Sequence, residues 1–145
     1  MQEATDVDDM IKRNEALMNF NQLHASALAA SHKSDHAKAA QLFLQTASAI
    51  SEIDPAATVR YTSSAVEELA RAGDFEQAHK LLQTLPSEDT PDARFAREVK
   101  LARYCINIES AEALEHLSRA QELTPSCTSP KTLLVLVHSE FHPLL

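Results

Sequence analysis

The sequence predicts an all-helical protein of about seven helices, and three observations lead to this fold class. The 145 residues include 23 alanines but only one glycine, Gly73. Sheet proteins need glycine in many tight turns and nucleotide-binding α/β folds need glycine clusters, so the composition excludes both classes. Apolar residues recur at helical spacing between breaks that carry proline, glycine or aspartate, which is the pattern of amphipathic helices joined by short turns.

Four helices are predicted in the first part of the chain, over about 6–31, 35–52, 55–72 and 74–85. The first has acidic residues in its first turn, where the helix dipole favours them. Its apolar stripe consists of Met10, Leu17, Phe20, Leu23, Ala27 and Ala30. Pro55 suits the first turn of the third helix, because the N–H that proline lacks has no partner there. Gly73 supplies the left-handed conformation that closes the third helix, and Asp74 caps the fourth.

The remaining helices follow a polar, proline-bracketed loop from Pro86 to Pro91. They are predicted over about 91–107, 110–123 and 131–142, with a turn cluster over 126–130 before the last. No interior segment has the composition of a linker, so a single domain is expected over 1–145.

A repeated segment recurs three times, anchored on Ala39, Ala78 and Ala113, at separations of 39 and 35 residues. A small side chain at the anchor lets two antiparallel helices approach closely. A large apolar residue one turn later fills the groove between them: Phe43, Leu82 or Leu117. Proline then ends the second helix of each unit.

These segments resemble the tetratricopeptide repeat family, most closely over Ala72 to Pro86. The resemblance covers about 20–125 and implies antiparallel helical hairpins, stacked as a short right-handed solenoid. The repeats would span about 20–55, 56–86 and 91–125, followed by an apolar helix at about 131–142. The chain departs from the family in three ways. The first repeat has about four residues more than the family's before it reaches Pro55. In the third repeat, Arg97 and Lys100 replace bulky apolar residues. The tryptophan signature of the family is missing.

The resemblance also implies a concave groove that binds a peptide or helix of a partner. By position, the residues of this groove would be Asn21, His24, Leu28, Arg60, Ser63, Glu67, Phe95, Glu98 and Ala102. The family's clamp for a chaperone's terminal carboxylate is absent, because His24 and Leu28 occupy its lysine and asparagine places. Shape and apolar contact are therefore expected to select the peptide.

A basic stripe lies in the fifth predicted helix and comprises Arg94, Arg97, Lys100 and Arg103. Cations at every third position share a broad helix face and would attract an acidic partner, with Arg60, Arg97 and Arg103 giving the selectivity. Alternatively, these side chains pair within their own hairpin with Glu98, Glu112 and Glu115, which contributes little to stability.

The C-terminal helix is apolar all round over Leu133 to Val137, which predicts burial on both sides. Leu134 and Leu136 are therefore candidate contact residues. The helix could enter the concave groove, pair with a second copy as a homodimer, or be covered by another protein.

Charge and cysteine content set further expectations. The net charge of −8 and the pI near 5.3 argue against nucleic acid as a partner. No run of 18 apolar residues predicts a membrane span, and the first 20 residues lack a secretory pattern. Cys105 and Cys127 are too few for a disulfide framework. Cys105 is expected in the core, whereas Cys127 lies in a Ser/Thr/Pro turn that could expose it. A cytoplasmic protein is the prediction.

No catalytic or metal-binding motif is evident, so we expect neither an enzyme nor a cofactor. His32 and His36 are four residues apart, but a predicted helix break lies between them, which does not suit a zinc site. The predicted function is a non-catalytic protein–protein interaction module or scaffold. Two alternatives are a small chaperone for an apolar or secreted client, and an assembly fragment of a larger helical-repeat adaptor. In size and charge the chain is similar to the type III secretion translocator chaperones.

Overall fold

A computed structural model describes residues 2–86 and 90–141, and all regular structure in these ranges is helical. The side chains of residues 2–5, 131, 134 and 135 are not described. The helices are α1 (Gln2–His32), α2 (His36–Ile50), α3 (Pro55–Arg71), α4 (Phe75–Thr84), α5 (Pro91–Cys105), α6 (Ser110–Leu123) and α7 (Pro130–Phe141), with a 3₁₀ turn at Thr124–Ser126. The prediction of an all-α fold with about seven helices is confirmed.

The chain divides into two compact units, Met1–Leu81 and Leu82–Leu145. Each has its own buried apolar cluster. The solenoid arrangement and the single domain stay predictions.

The first unit is built on alanine contacts among its helices. Ala27 and Ala30 of α1 form one cluster with Ala39 and Phe43 of α2 and Ala65 of α3. Leu42, Tyr61 and Leu81 pack against it. Small side chains on facing helices allow a short interhelical distance, which the anchor pattern predicts. All three anchor alanines of the sequence, at positions 39, 78 and 113, are fully buried.

Two turns of the first unit have the same geometry. Ser34 and Gly73 both have positive φ, 61° and 84° respectively. The next residue in each turn is an aspartate whose side chain accepts a hydrogen bond from the backbone N–H three residues later, at 3.4 Å for Asp35 and 3.3 Å for Asp74. Each aspartate N–H also bonds the carbonyl five residues back, at 2.9 Å in both turns. The turns are 39 residues apart, so the spacing of the sequence anchors is repeated in the backbone.

The second unit is a hairpin of α5 and α6 with α7 packed on it. Its cluster joins all three helices and consists of Phe95, Val99, Ala102, Leu117, Ala120, Cys127, Val137 and Phe141. Val137 and Phe141 are almost fully buried, whereas Leu136 is exposed. The last helix therefore buries one of its faces within its own unit and leaves Leu136 on the other.

The apolar stripe predicted for α1 is only partly buried. Ala27 and Ala30 are in the core, and Phe20 and Leu23 are half-buried, but Met10 is exposed. The α1 helix has 31 residues whereas α2 has 15, so α2 covers only the C-terminal half of α1. The expectation that Met10 belongs to the buried stripe is wrong for this reason.

The paired turns predict stability changes of opposite sign. A non-glycine residue in the left-handed region is strained, so Ser34→Gly should raise the free energy of unfolding by about 0.5–1 kcal/mol. Gly73→Ser should lower it by about 1 kcal/mol, although a Cβ atom at position 73 would meet no heavy atom within 4 Å. Urea unfolding of the two variants measures both changes, and two changes of the same sign would contradict the shared turn geometry.

Candidate functional site

An open apolar groove lies between α5 and α7 in the second unit. Its volume is about 480 Å³. Phe95 and Val99 of α5 face Leu133 and Leu136 of α7 across it. Leu136 is 50% exposed, which is high for a leucine in a folded chain. The groove therefore presents an apolar surface that solvent reaches.

Helical spacing explains why these α5 residues share one face. Asp92, Phe95, Val99 and Arg103 follow one another at intervals of three or four residues, so they lie along one stripe. Thr90 begins the helix by accepting a hydrogen bond from Ala93 N–H at 3.2 Å. The stripe is thus positioned by an ordinary N-cap and by the burial of Phe95.

Two polar contacts fix the ends of the groove. The Asp92 carboxylate accepts hydrogen bonds from the backbone N–H and the hydroxyl of Thr128, at 3.0 and 2.5 Å. These bonds from Thr128, with one from the Cys127 thiol, lower the pKa of Asp92. At the other end, Arg103 donates two hydrogen bonds to Glu140, at 2.5 and 3.0 Å. Each contact ties α5 to the segment that carries α7, so the groove walls are held together.

The structure brings three of the predicted site residues to this groove: Phe95, Arg103 and Leu136. Leu134, also predicted as a contact residue, has a side chain outside the described part of the chain. Lys100 of the basic stripe lines the groove as well.

Arg97 and Glu98 face other neighbours. The Arg97 guanidinium donates to the backbone carbonyls of Leu85 and, at 3.1 Å, Gln83. Glu98 pairs with the buried His116 at 2.7 Å. The sequence suggested that cations of the basic stripe pair with carboxylates such as Glu98. Instead, Arg97 binds backbone carbonyl groups and Glu98 binds a histidine.

In the first unit, His24 is the predicted residue with an aromatic contact. The His24 ring lies 5.0 Å from the ring of Tyr61. Leu28, Arg60 and Ser63 are exposed, and Glu67 is half-buried.

A buried carboxylate in this unit escaped the sequence analysis. The Glu68 side chain is only 4% exposed. It accepts a hydrogen bond from the Ser31 hydroxyl at 2.7 Å, contacts His36 Nδ1 at 2.6 Å and pairs with Arg71 at 3.0 Å. Burial by itself raises the pKa of Glu68, but the bonds to Ser31 and His36 and the charge of Arg71 outweigh it, so the pKa is lowered. This contact also accounts for His36, which does not act with the exposed His32.

Both cysteines are buried. Burial, with the nearby charge of Glu112, raises the pKa of the Cys105 thiol to about 11. Burial and the bond to Asp92 raise the pKa of Cys127 as well, and its thiol contacts the Leu123 carbonyl at 3.3 Å. Cys105 is in the core as predicted. Cys127, whose turn could have exposed it, is buried because the turn packs against α5 and α6.

Comparison with family models, curated proteins and solved structures finds no match for this chain. Among the helices within residues 2–86 and 90–141, none combines the length and the apolar character needed to cross a membrane.

The Glu68 contacts predict a pH dependence of stability. The pKa of Glu68 is lower in the folded than in the unfolded chain. Its carboxylate therefore contributes fully to the free energy of unfolding when the pH is above its unfolded pKa of about 4.3. This contribution is lost as the pH falls through the lower folded value. Glu68→Gln should reduce the free energy of unfolding at pH 7 by about 1–3 kcal/mol and flatten its decline in acid. Urea unfolding between pH 7 and 3 measures this, with the exposed Glu76→Gln as control; matching curves for both variants would contradict it.

The raised thiol pKa values predict slow labelling of the native protein. A thiol reacts through its thiolate, so at pH 7 both cysteines should react with Ellman's reagent at least about tenfold more slowly in the folded than in the unfolded chain. Absorbance after mixing, with and without denaturant, measures the two rates. One rapidly labelled thiol in the native protein would show that its burial is transient.

Proposed function

We propose that the chain is a non-catalytic protein-interaction module, and that the α5/α7 groove binds an apolar segment of a partner. The observation that carries this proposal is the solvent-exposed Leu136 beside Phe95 and Val99 in one open groove. A surface of this kind loses unfavourable contact with water when an apolar side chain enters it.

The size of the groove supports a peptide segment as the ligand. Pockets that bind drug-sized groups have volumes of about 300–1,000 Å³, and this groove has about 480 Å³. It has room for a few side chains rather than for a whole domain surface. A short amphipathic segment with two apolar anchors fits these limits.

The charges at the groove favour acidic residues next to those anchors. Lys100 and Arg103 both line it. Arg103 pairs with Glu140 and holds the groove wall. Together with Lys100 it places two cations in the lining, which favours a carboxylate on the partner. This assigns the predicted basic stripe a smaller binding role than its four cations suggested.

Two features support a non-catalytic role. Both thiols have raised pKa values and are protonated at neutral pH. Glu68, the most buried carboxylate among the described side chains, is engaged by three side chains and serves to join helices.

A tetratricopeptide-like arrangement remains our proposal for the whole chain. It is supported by the three buried anchor alanines and by the two equivalent turns 39 residues apart. A scaffold and a chaperone would both bind their partner through the α5/α7 groove. The proposal that this groove binds an apolar segment is therefore the same for either role.

A peptide selection tests the groove directly. A phage library of random twelve-residue peptides is selected against the full chain, and enriched peptides are synthesised with a fluorophore. We expect sequences with two apolar anchors and a neighbouring Asp or Glu. Leu136→Glu should weaken their binding by at least about tenfold, because it places a carboxylate in the apolar contact. Fluorescence anisotropy measures the Kd.

Leu114→Glu is the matched control, since Leu114 is also an exposed leucine but lies on α6 outside the groove. Its Kd should stay within about twofold of the parent, and both variants should keep the parent Tm. Failure to enrich any such peptide, or equal binding by the Leu136→Glu variant, would refute the groove assignment. Light scattering on the same samples shows whether a second copy occupies the groove instead.

A further inference from the structure

The first helix has a second apolar face, on the side away from its unit's core. Three large side chains on it are well exposed: Val7 at 53%, Ile11 at 50% and Met18 at 63%. They are separated by four and seven residues, the spacing at which residues line one side of a helix. Single exposed apolar residues are normal on proteins, but an aligned set on one helix indicates a contact surface.

Helical geometry separates this face from the buried one. Consecutive residues are rotated by about 100° around the helix axis. Leu23, Ala27 and Ala30 therefore point nearly opposite to Val7, Ile11 and Met18. The exposed set continues with alternating steps of four and three residues along the helix, through Val7, Ile11, Asn14, Met18, Asn21, Ala25 and Leu28. We call this set the outer face of α1; all its members are exposed, and its spacing is that of a coiled-coil seam.

The N-terminal part of the outer face also lies beyond the neighbouring helices. Lys12, Arg13 and Ala16 line a hollow together with Glu52 and Ile53 of the turn between α2 and α3. The helix continues toward its N-terminus for more than two turns before Lys12. A second helix can therefore lie along Val7 and Ile11 without meeting the rest of the first unit.

One edge of the outer face is acidic. Asp8 and Glu15 are seven residues apart and so flank the face on the same side, at adjacent heptads. Within the described part of the chain, neither carboxylate takes part in an ion pair. Asp6 adds negative charge at the other edge of the face, whereas the cations Lys12 and Arg13 point away from it. Residues at this edge of a coiled coil contact the flanking residues of the partner helix and decide which partner is accepted.

A second copy of this chain is a poor match for that edge. Each copy carries a net charge of −8, and an in-register parallel pair would place the two acidic N-terminal turns side by side. Such like-charge contacts disfavour a partner. A helix with lysine or arginine at the flanking positions supplies the opposite charge at both Asp8 and Glu15.

From this geometry we infer that the outer face of α1 binds an amphipathic helix of a partner protein, with apolar residues at heptad spacing and basic residues seven positions apart on its flank. Asn14 and Asn21 lie within the seam, so the partner helix places polar side chains opposite them. A buried asparagine without such a partner would cost stability, and this fixes how the two helices are aligned. The site lies in the first unit and does not depend on the α5/α7 groove.

Two synthetic helices test the inference with the full chain. Both are four-heptad peptides with leucine in the seam and asparagine at the two positions opposite Asn14 and Asn21. One carries lysine at every flanking position and the other carries glutamate, so neither pairs readily with itself. We expect the lysine peptide to bind at least about tenfold more tightly by calorimetry and to weaken as salt rises from 0.05 to 0.5 M.

Variants assign the binding to named residues. Ile11→Lys with Met18→Lys should weaken the lysine peptide at least about tenfold, whereas the control Leu114→Lys, an exposed apolar residue on α6, should leave the Kd within about twofold. Asp8→Lys with Glu15→Lys should reverse the preference in favour of the glutamate peptide. All variants should keep the parent Tm, because these side chains lie outside the core.

Three results of the peptide experiment would overturn the inference: no binding of the lysine peptide, equal binding of both peptides, or binding that Ile11→Lys with Met18→Lys leaves unchanged. A dimer in light scattering that the same double variant dissociates would also overturn it, because the occupant would then be a second copy. Leu136→Glu should bind the lysine peptide normally, so failure of the groove proposal and failure of this one can be told apart.

Discussion

Close approach of helices through alanine is the constraint on which both cores depend. Ala27, Ala39 and Ala65 bring three helices together in the first unit, and Ala102 and Ala120 bring α5 and α6 together in the second. A buried methyl group contributes only about 0.8 kcal/mol. Alanine therefore sets the distance between helices, while a few large side chains supply most of the hydrophobic stabilisation. Any larger residue at these positions would force the helices apart, which cores tolerate poorly.

Alanine side chains are small, so contacts between them do not by themselves fix the position of one helix along the axis of the next. Polar contacts specify this alignment. Glu68 of α3 binds Ser31 and His36, which stand on either side of the turn between α1 and α2. In the second unit, Arg97 of α5 binds the carbonyl groups at the end of α4. Sliding either helix would separate these groups from their partners, and this is most costly for Glu68 because its carboxylate is buried.

The helices, the anchor alanines and the Gly73 turn could be predicted from the sequence because they depend on local spacing and local backbone preference. The partners of Arg97 and Arg103 could not, because periodicity gives the face of a helix but not what packs on that face. Glu68 was missed for the same reason: it is the fold, and not the local sequence, that brings Ser31 and His36 to it. Met10 was misplaced because a stripe drawn along the whole predicted helix, about 6–31, assumes a neighbour of equal length, whereas α2 has only 15 residues.

The two proposed surfaces differ in charge, and this difference is what would keep their partners apart. The α5/α7 groove has cations among its lining residues, whereas Asp8 and Glu15 flank the outer face of α1. Apolar contact alone discriminates poorly between two amphipathic segments, because each segment would bury a similar apolar area on either surface. Opposite charge at the edge penalises the wrong pairing through repulsion and unpaired groups as well as favouring the right one. A chain with a net charge of −8 can thus offer one site to an acidic segment only where lysine and arginine are gathered on one helix, as they are on α5.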